Sequence, residues 1–568
     1  MPENPSYWIN QLKQQANLRR LRLFFWIITL GAGFLQVWAA RFSMSPDGTC
    51  YLDIASAYMR HDWGHAVNAY WSPLFSWLVA LCLIIFRPSP YWESTLLHLL
   101  NFLALLLALR SFEFFFSGFL RVRKQFGWMD AESETLSELG WWALGYGLFL
   151  STSLYVLSAS LTMPDMWVAV LTYLVAGLIV RIWSMGGGWH LFAALGLTLG
   201  VAYLTKTFYF PISFVFVAAA WVSTENIRRN TKYAMLALIV FSLLAVPWIT
   251  TLSRAKRRVT IGDVGKIAAI ITVDQLRQAL FWQGENKTGT PRHPVRQLLS
   301  KPRLYEFGSP VGGSYPPAYD ISYWMEGAKF RFSIRGLLTV LRQSAGTLFQ
   351  LLMSQIEYAV GLLAIFYLIW DNPEWLTQLR DQAYLWVPPL IACASYSIVL
   401  VEGRYVAPFI LLLWITAYSC VLGVKSGISR RGATALVLAA LSITGLRVAK
   451  SGSSDLIAVF SHQENVDWVV AEELQNLGIV PGDKVAGLSR VAESQWARLA
   501  GVKIVSEIPL GEESAFWTLD AKAKQDVFRV LSGTGAKILV TANPPPTAAT
   551  EGWVPLRNSG FYAHLLPS

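Results

Sequence analysis

Long apolar runs recur along this chain, and each is closed by charge or by a turn. Residues 22–40 (RLFFWIITLGAGFLQVWAA), 94–119 (STLLHLLNFLALLLALRSFEFFFSGF) and 166–184 (MWVAVLTYLVAGLIVRIWS) show the pattern most clearly. About 20 apolar residues are needed to cross a bilayer as a helix. Inside hydrocarbon every backbone polar group must find its partner within the protein, so such runs can only be helices. Composition agrees: 54% of the 568 residues are hydrophobic and only 15% are charged, against about 25% in an average soluble domain. The 25 Trp, 22 Tyr and 31 Phe suit long interfacial belts. The formal charge of +11 fits Lys and Arg gathered on cytoplasmic loops better than a nucleic-acid surface, and no nucleic-acid partner is expected. Cys50, Cys82, Cys393 and Cys420 have no metal-type spacing and read as small hydrophobes rather than a disulfide framework.

Charge bias sets the sidedness. Lys13, Arg19 and Arg20 precede the first run, which places the N-terminus in the cytoplasm and the next segment outside. That segment, Ser45-Pro46-Asp47-Gly48-Thr49-Cys50-Tyr51-Leu52-Asp53, puts carboxylates at a membrane boundary. Residues 49–60 read as a helix lying on the bilayer surface, with Leu52, Ala55, Ser56 and Met59 on one face. The apolar stretch 74–86 is short for a span. If it does not cross, Arg121-Val122-Arg123-Lys124 falls in the cytoplasm, as the bias requires.

Alternation then continues through 140–158, 166–184, 189–204, 208–223 and 233–251, with an inner turn at Gly186-Gly187-Gly188. A long polar segment, 252–334, ends in Gly313-Ser314-Tyr315-Pro316-Pro317-Ala318-Tyr319-Asp320 and reads as a functional outer loop. Residues 335–352 are amphipathic, and the runs 355–370, 384–400, 406–424 and 432–449 follow. The sum is about eleven spans. The predicted organisation is a transmembrane domain over 1–449, with outer loops 41–93 and 252–354, and an extracytoplasmic α/β domain over 450–568. The tail carries helix spacing at Val466–Leu477 and Ala521–Leu531 and strand-like runs at 484–488 and 537–541, which suggests a mostly parallel sheet. It lacks G-x-G-x-x-G and the P-loop pattern, so it is assigned no nucleotide site.

Five polar features fall on the outer side: Asp47 with Tyr51 and Asp53; Asp165; Lys206; Tyr319-Asp320; and Glu402 with Arg404 and Tyr405. Singly each has a plain structural reading. An Asp after a span caps a helix, a Lys snorkels, and Glu402 and Arg404 form an ion pair. Gathered at one boundary they suit transfer from a phosphate-linked lipid donor. Cations hold the phosphate, Arg through a planar fork, and a carboxylate serves the acceptor hydroxyl as general base.

The same residues carry a resemblance. S-P-D-G-T-C-Y-L-D-I-A, S-P-L-F-S-W, L-T-M-P-D-M, Y-L-T-K-T and E-G-R-Y-V-A-P occur in this order over roughly residues 20–425. The order resembles the GT-C superfamily of integral-membrane glycosyltransferases, in particular its protein O-mannosyltransferase and lipid A aminoarabinose transferase branch. The resemblance implies a polytopic α-helical fold with the active site on the outer (periplasmic) face of a bacterial inner membrane. It implies inverting transfer of a sugar from a polyprenyl-phosphate donor to a lipid, glycan or protein acceptor. Asp47 becomes the catalytic carboxylate, with Asp165 assisting it or sharing a divalent metal (Mg or Mn) with it. Lys206, Arg404 and Tyr405 become the donor-phosphate site, with Glu402, Tyr51, Tyr319 and Asp320 in support. Two other classes stay open: a transporter or flippase of lipid-linked glycans, and a membrane-anchored binding subunit.

Overall fold

A computed structural model describes residues 5–125, 135–223, 227–276, 279–284, 288–424, 429–461, 464–489, 494–546 and 552–567. The chain is a polytopic helical membrane protein with a smaller mixed α/β part. Among the described residues six helices are long and apolar enough to cross a membrane: Lys13–Ala39, Pro90–Gln125, Asp165–Ser184, Ile227–Lys256, Gly403–Leu422 and Arg430–Phe460. A seventh arises if Ile334–Ser354 and Ile356–Ile369, bent by 84° at their junction, count as one span. The expected eleven is not reached among the described residues, because several apolar runs form helices shorter than a full span. Trp189–Thr205 and Tyr209–Val222 have 17 and 14 residues. At about 1.5 Å per residue they span less than the roughly 30 Å hydrocarbon core.

The chain divides into two units. The first comprises Met1–Ala40, His98–Trp248 and Leu337–Ser461. Its core is aromatic: Phe112, Phe116, Phe119, Trp141, Trp142, Tyr146 and Tyr173 are all buried. The rings meet edge-on and stacked, as at Phe112–Phe116 (5.3 Å, 18°) and Phe116–Trp142 (5.2 Å, 74°), the arrangements that ring quadrupoles favour. Buried charge in this unit is met by partners. Buried Glu113 accepts from Arg22 Nη2 (2.9 Å), Trp26 Nε1 (3.0 Å), Arg110 Nη1 (2.7 Å) and the Tyr146 hydroxyl (2.6 Å).

The basic group 121–124 forms the last turn of the helix Glu93–Gln125. Arg123 is buried there. It donates to the Ser419 carbonyl (3.1 Å) and lies over Trp141 (4.3 Å). The expected turn at 186–188 is present. Gly186 and Gly187 take φ of +68° and +86°, the left-handed region open to glycine, and a Cβ on Gly187 would meet Asn230 Oδ1 at 2.5 Å.

The second unit comprises Arg41–Leu97, Ile249–Gly336 and His462–Ser568. Seven strands form one sheet: β1 (Arg296–Ser300), β2 (Arg303–Glu306), β3 (Lys484–Leu488), β4 (Lys503–Ile508), β5 (Ile538–Ala542), β6 (Val554–Pro555) and β7 (Phe561–Leu565). Their order is β1-β2-β4-β3-β5-β7-β6. Only β3–β4 and β3–β5 are parallel. The sheet is therefore mixed rather than mostly parallel, because β1 and β2 of the long polar segment join one edge antiparallel and β7 and β6 of the tail close the other the same way. One core binds all three segments, with Ile54, Tyr305, Phe307, Tyr319, Val470, Trp496 and Ile504 in a single buried cluster. Each fully buried side chain of this size contributes about 1.5–3 kcal/mol relative to exposure.

Two expectations change here. The helix Pro46–Met59 does not lie on a surface, for residues 48–55 are buried on every face and only its two ends are exposed. And residues 450–460, expected to open the C-terminal domain, are the last turns of the helix Arg430–Phe460.

Candidate active site

Three helix ends meet in the first unit. Pro164 ends an irregular segment and starts the helix Asp165–Ser184, with no side-chain cap. Lys206 is the C-cap of Trp189–Thr205, with extended backbone (φ −152°, ψ 120°) that stops the helix. Glu402 is the N-cap of Gly403–Leu422, so Arg404 and Tyr405 lie in its first turn.

Their side chains converge. Lys206 Nζ is 2.6 Å from Asp165 Oδ1, and Arg404 Nη1 is 3.8 Å from Asp165 Oδ2. Arg404 Nε donates to Glu402 Oε2 at 2.5 Å, and its Nη2 donates to the Tyr405 hydroxyl at 3.3 Å. The Tyr405 ring lies beneath both cations, 3.6 Å from Lys206 Nζ and 5.0 Å from the Arg404 guanidinium carbon. Tyr405 stacks on Tyr396, which stacks on Phe208 at 4.0 Å. Exposure grades across the cluster: the Asp165 side chain is 4% exposed, Arg404 16%, Lys206 20% and Glu402 38%. The buried end is a carboxylate with a cation on each oxygen. The open end presents two cations and a half-exposed carboxylate, and cations fixed over a polarisable ring at a partly dry site suit an anionic ligand.

An apolar groove of about 320 Å³ runs along the middle of the helix Gly403–Leu422, lined by Leu351, Leu352, Gln355, Ile410, Leu413 and Trp414. Leu351 ties it to the cluster: a Cβ on Gly403 would lie 3.1 Å from Leu351 Cδ2. Gln355 is fixed by accepting from Trp414 Nε1 (2.8 Å) and donating to Ser151 and Thr152 hydroxyls.

Asp165, Lys206, Glu402, Arg404 and Tyr405 are thus brought together. Asp165 does not cap its helix. Nor does it fit the expected divalent metal, since a third cation would have to approach oxygens already faced by Lys206 and Arg404. Among the described residues no group of three or more His, Cys, Asp and Glu is placed to hold a metal ion.

Asp47, Tyr51, Tyr319 and Asp320 belong to the second unit. Asp47 is in the first turn of Pro46–Met59, half-buried, and the cap is Ser45, whose Oγ accepts from Gly48 N at 3.1 Å. A carboxylate there is favoured by the helix dipole. Tyr51 is buried against Trp71 and Phe75. The Tyr319 hydroxyl donates to the His65 carbonyl at 2.7 Å. Asp320 caps Ile321–Trp324 by accepting from Tyr323 N at 3.0 Å, and pairs with Lys256 at 3.4 Å. Tyr319 and Asp320 thus fasten the segment around them to its neighbours.

Asp53, readable as a solvated residue, is buried. It pairs with Arg498 Nη1 at 2.5 Å and accepts from Ser314 N at 2.7 Å. Arg498 also pairs with Glu93 (2.7 Å) and donates to Ser56 Oγ (3.0 Å). These carboxylates raise its pKa against the opposing effect of burial. Sequence reasoning missed Arg498 and Tyr396, because an Arg in a short polar helix and a Tyr in an apolar run carry no local signal.

No protein-family model matches the sequence, and no curated protein matches it. Among solved structures the chain is similar to the Archaeoglobus fulgidus oligosaccharyltransferase in complex with Zn and sulfate, at 12% identity, covering 92% of this chain and 68% of that one, with a TM-score of 0.48. It is similar to the same enzyme tethered with an acceptor peptide containing the NVT sequon, at 13% identity, 91% and 69% coverage and a TM-score of 0.46. It is also similar to ArnT from Cupriavidus metallidurans bound to undecaprenyl phosphate, at 13% identity, 99% and 98% coverage and a TM-score of 0.42.

Proposed function

We propose that this chain is a GT-C-type glycosyltransferase that moves a sugar from a polyprenyl-phosphate donor to a lipid, glycan or protein acceptor at the outer face of a membrane. The observation that carries this reading is the Lys206–Asp165–Arg404 cluster at three helix ends. As the bond between sugar and phosphate breaks, negative charge grows on the departing phosphate oxygen. Cations already fixed where that charge develops stabilise the transition state without reorganising. Arg404 supplies a planar fork and Lys206 a point charge. Asp165 holds both in place, and Glu402 and Tyr405 set the Arg404 fork. The apolar groove at Leu351 and Trp414 takes the isoprenoid chain.

Asp47 is assigned the base from the order of the sequence motifs. It takes the acceptor's hydroxyl proton while that oxygen bonds to the anomeric carbon opposite the phosphate. The polyprenyl phosphate leaves with the bonding pair, and the configuration inverts. The location this reading implies is a bacterial inner membrane, with the N-terminus cytoplasmic.

The test is transfer by purified protein in liposomes carrying a polyprenyl-phosphate sugar. Arg404→Ala and Lys206→Ala are expected to lower the rate about 100-fold or more, and Asp47→Asn by a similar factor. Full activity in Asp47→Asn and Arg404→Ala would overturn the site. Lipid flipping without transfer, undiminished by Asp47→Asn, would favour a transporter.

A further inference from the structure

The second unit contains a polar cavity of about 440 Å³ that the transfer chemistry does not use. Among its lining residues are His293, Arg296, Tyr323, Trp324, Lys484 and Lys503. The strands explain why these cations share one place. Lys484 opens β3 and Lys503 opens β4, and the two are partners in the parallel register. Like charges directly opposite on neighbouring strands are destabilising. Lys503 Nζ is half-buried and donates to the Val311 carbonyl at 2.6 Å. Among the described residues no carboxylate pairs with either lysine. Burial and the neighbouring Lys484 both push the Lys503 ammonium below its ordinary pKa. Arg296 has Glu306 at 3.1 Å as its partner, and both side chains line the cavity. Part of the remaining wall is aromatic: His293 stacks on Tyr323 (4.0 Å, 9°), and Tyr323 meets Trp324 edge-on (5.0 Å, 90°).

We propose that this cavity binds an anionic sugar, a hydroxylated ring carrying a phosphate or a carboxylate. The lysine pair takes the anionic group, which supplies the counter-charge the protein lacks at that position. The aromatic wall takes the apolar face of the ring, and Glu306 and Thr534 offer acceptors for its hydroxyls. A free phosphate would meet the lysines but leave the aromatic wall unused, and a neutral sugar would leave the lysines unpaired. The proposal does not rest on the transfer reaction, since binding is read with no donor present.

The experiment is titration calorimetry on the full-length protein in detergent. The probes are glucose 6-phosphate, glucuronate, glucose and inorganic phosphate. One or both anionic sugars are expected to bind at least tenfold more tightly than glucose and than inorganic phosphate, and less tightly as salt rises. Lys484→Gln, at an exposed position, is expected to weaken that binding at least fivefold. Lys484→Gln with Lys503→Gln should abolish it. Tyr323→Ala should weaken sugar phosphate but not inorganic phosphate. Lys537→Gln, whose side chain pairs with Asp483 instead, should leave it unchanged. Phosphate binding as tightly as either sugar, no binding by any probe, or undiminished binding in Lys484→Gln would each overturn the proposal. Lys484→Gln alone decides if the double variant fails to fold.

Discussion

At the scale of single residues, the decisive fact about the candidate site is how Asp165 is used. It is buried, and each of its oxygens faces a cation. Removing one partner of such a pair leaves an uncompensated charge and costs about 3 kcal/mol or more. Asp165→Asn is therefore expected to lower both the thermal midpoint in detergent and donor binding. If Asp165→Asn abolished catalysis with stability and donor affinity unchanged, Asp165 would act on the reacting atoms rather than through its cations. Glu507 offers a second residue-scale prediction. Its side chain is buried and accepts from the Tyr315 hydroxyl at 2.6 Å, and burial pushes its carboxyl up to about 7 from 4.5. Between those values the native state holds a proton that the unfolded chain has lost. Stability therefore falls as pH rises from about 4.5 to 7, by about 3 kcal/mol in all. Glu507→Gln should remove this slope and be the more stable form at pH 8, as denaturation midpoints at pH 5 and pH 8 would show. An unchanged slope would mean that Glu507 is ionised in the native protein.

At the scale of elements, Arg498 is the pin of the second unit. It joins the short helix Gln495–Leu499 to Asp53 and Ser56 of the helix Pro46–Met59 and to Glu93 at the start of another. Arg498→Met strands two carboxylates, and the expected cost is about 3–5 kcal/mol. Replacing Asp53, Glu93 and Arg498 together with apolar residues should recover much of that loss. Chemical denaturation of the single and triple variants would measure both, and a triple variant no more stable than the single one would argue against the pin. The helix Pro46–Met59 shows why this was hidden from the sequence. Its apolar residues suit a surface helix, and nothing local says that Asp53 will meet a partner 445 residues away. The Asp165–Lys206–Arg404 cluster was more legible, because each member stands beside a helix end, and ends of apolar helices can be read from the chain.

At the scale of the whole molecule, the question is which side each polar segment faces. In the proposed topology Arg121 lies in the cytoplasm, where the charge bias puts it, and the tail lies outside. Cysteine substitution at Arg121 and at Lys522, both exposed, tests this with a membrane-impermeant maleimide. The native thiols are buried or half-buried, so background labelling is low. Lys522→Cys is expected to label in intact cells and Arg121→Cys only after permeabilisation. The reverse pattern would move the candidate site to the cytoplasmic face.

By itself the sequence determined that the chain is a polytopic helical membrane protein, where its principal apolar helices run, and which charged residues stand at their ends. Hydrocarbon leaves a backbone no other choice, so length and hydropathy suffice. It also revealed that the tail mixes strands and helices, because periodicity is a local property. Only the tertiary structure decided that Asp165 faces Lys206 and Arg404 instead of capping a helix. Only it decided that the tail's sheet is completed by strands from residues 296–306, and that Lys484 and Lys503 stand side by side. Those outcomes depend on which distant segments meet, and the pairing of charges and strands across hundreds of residues leaves no periodic trace in the chain.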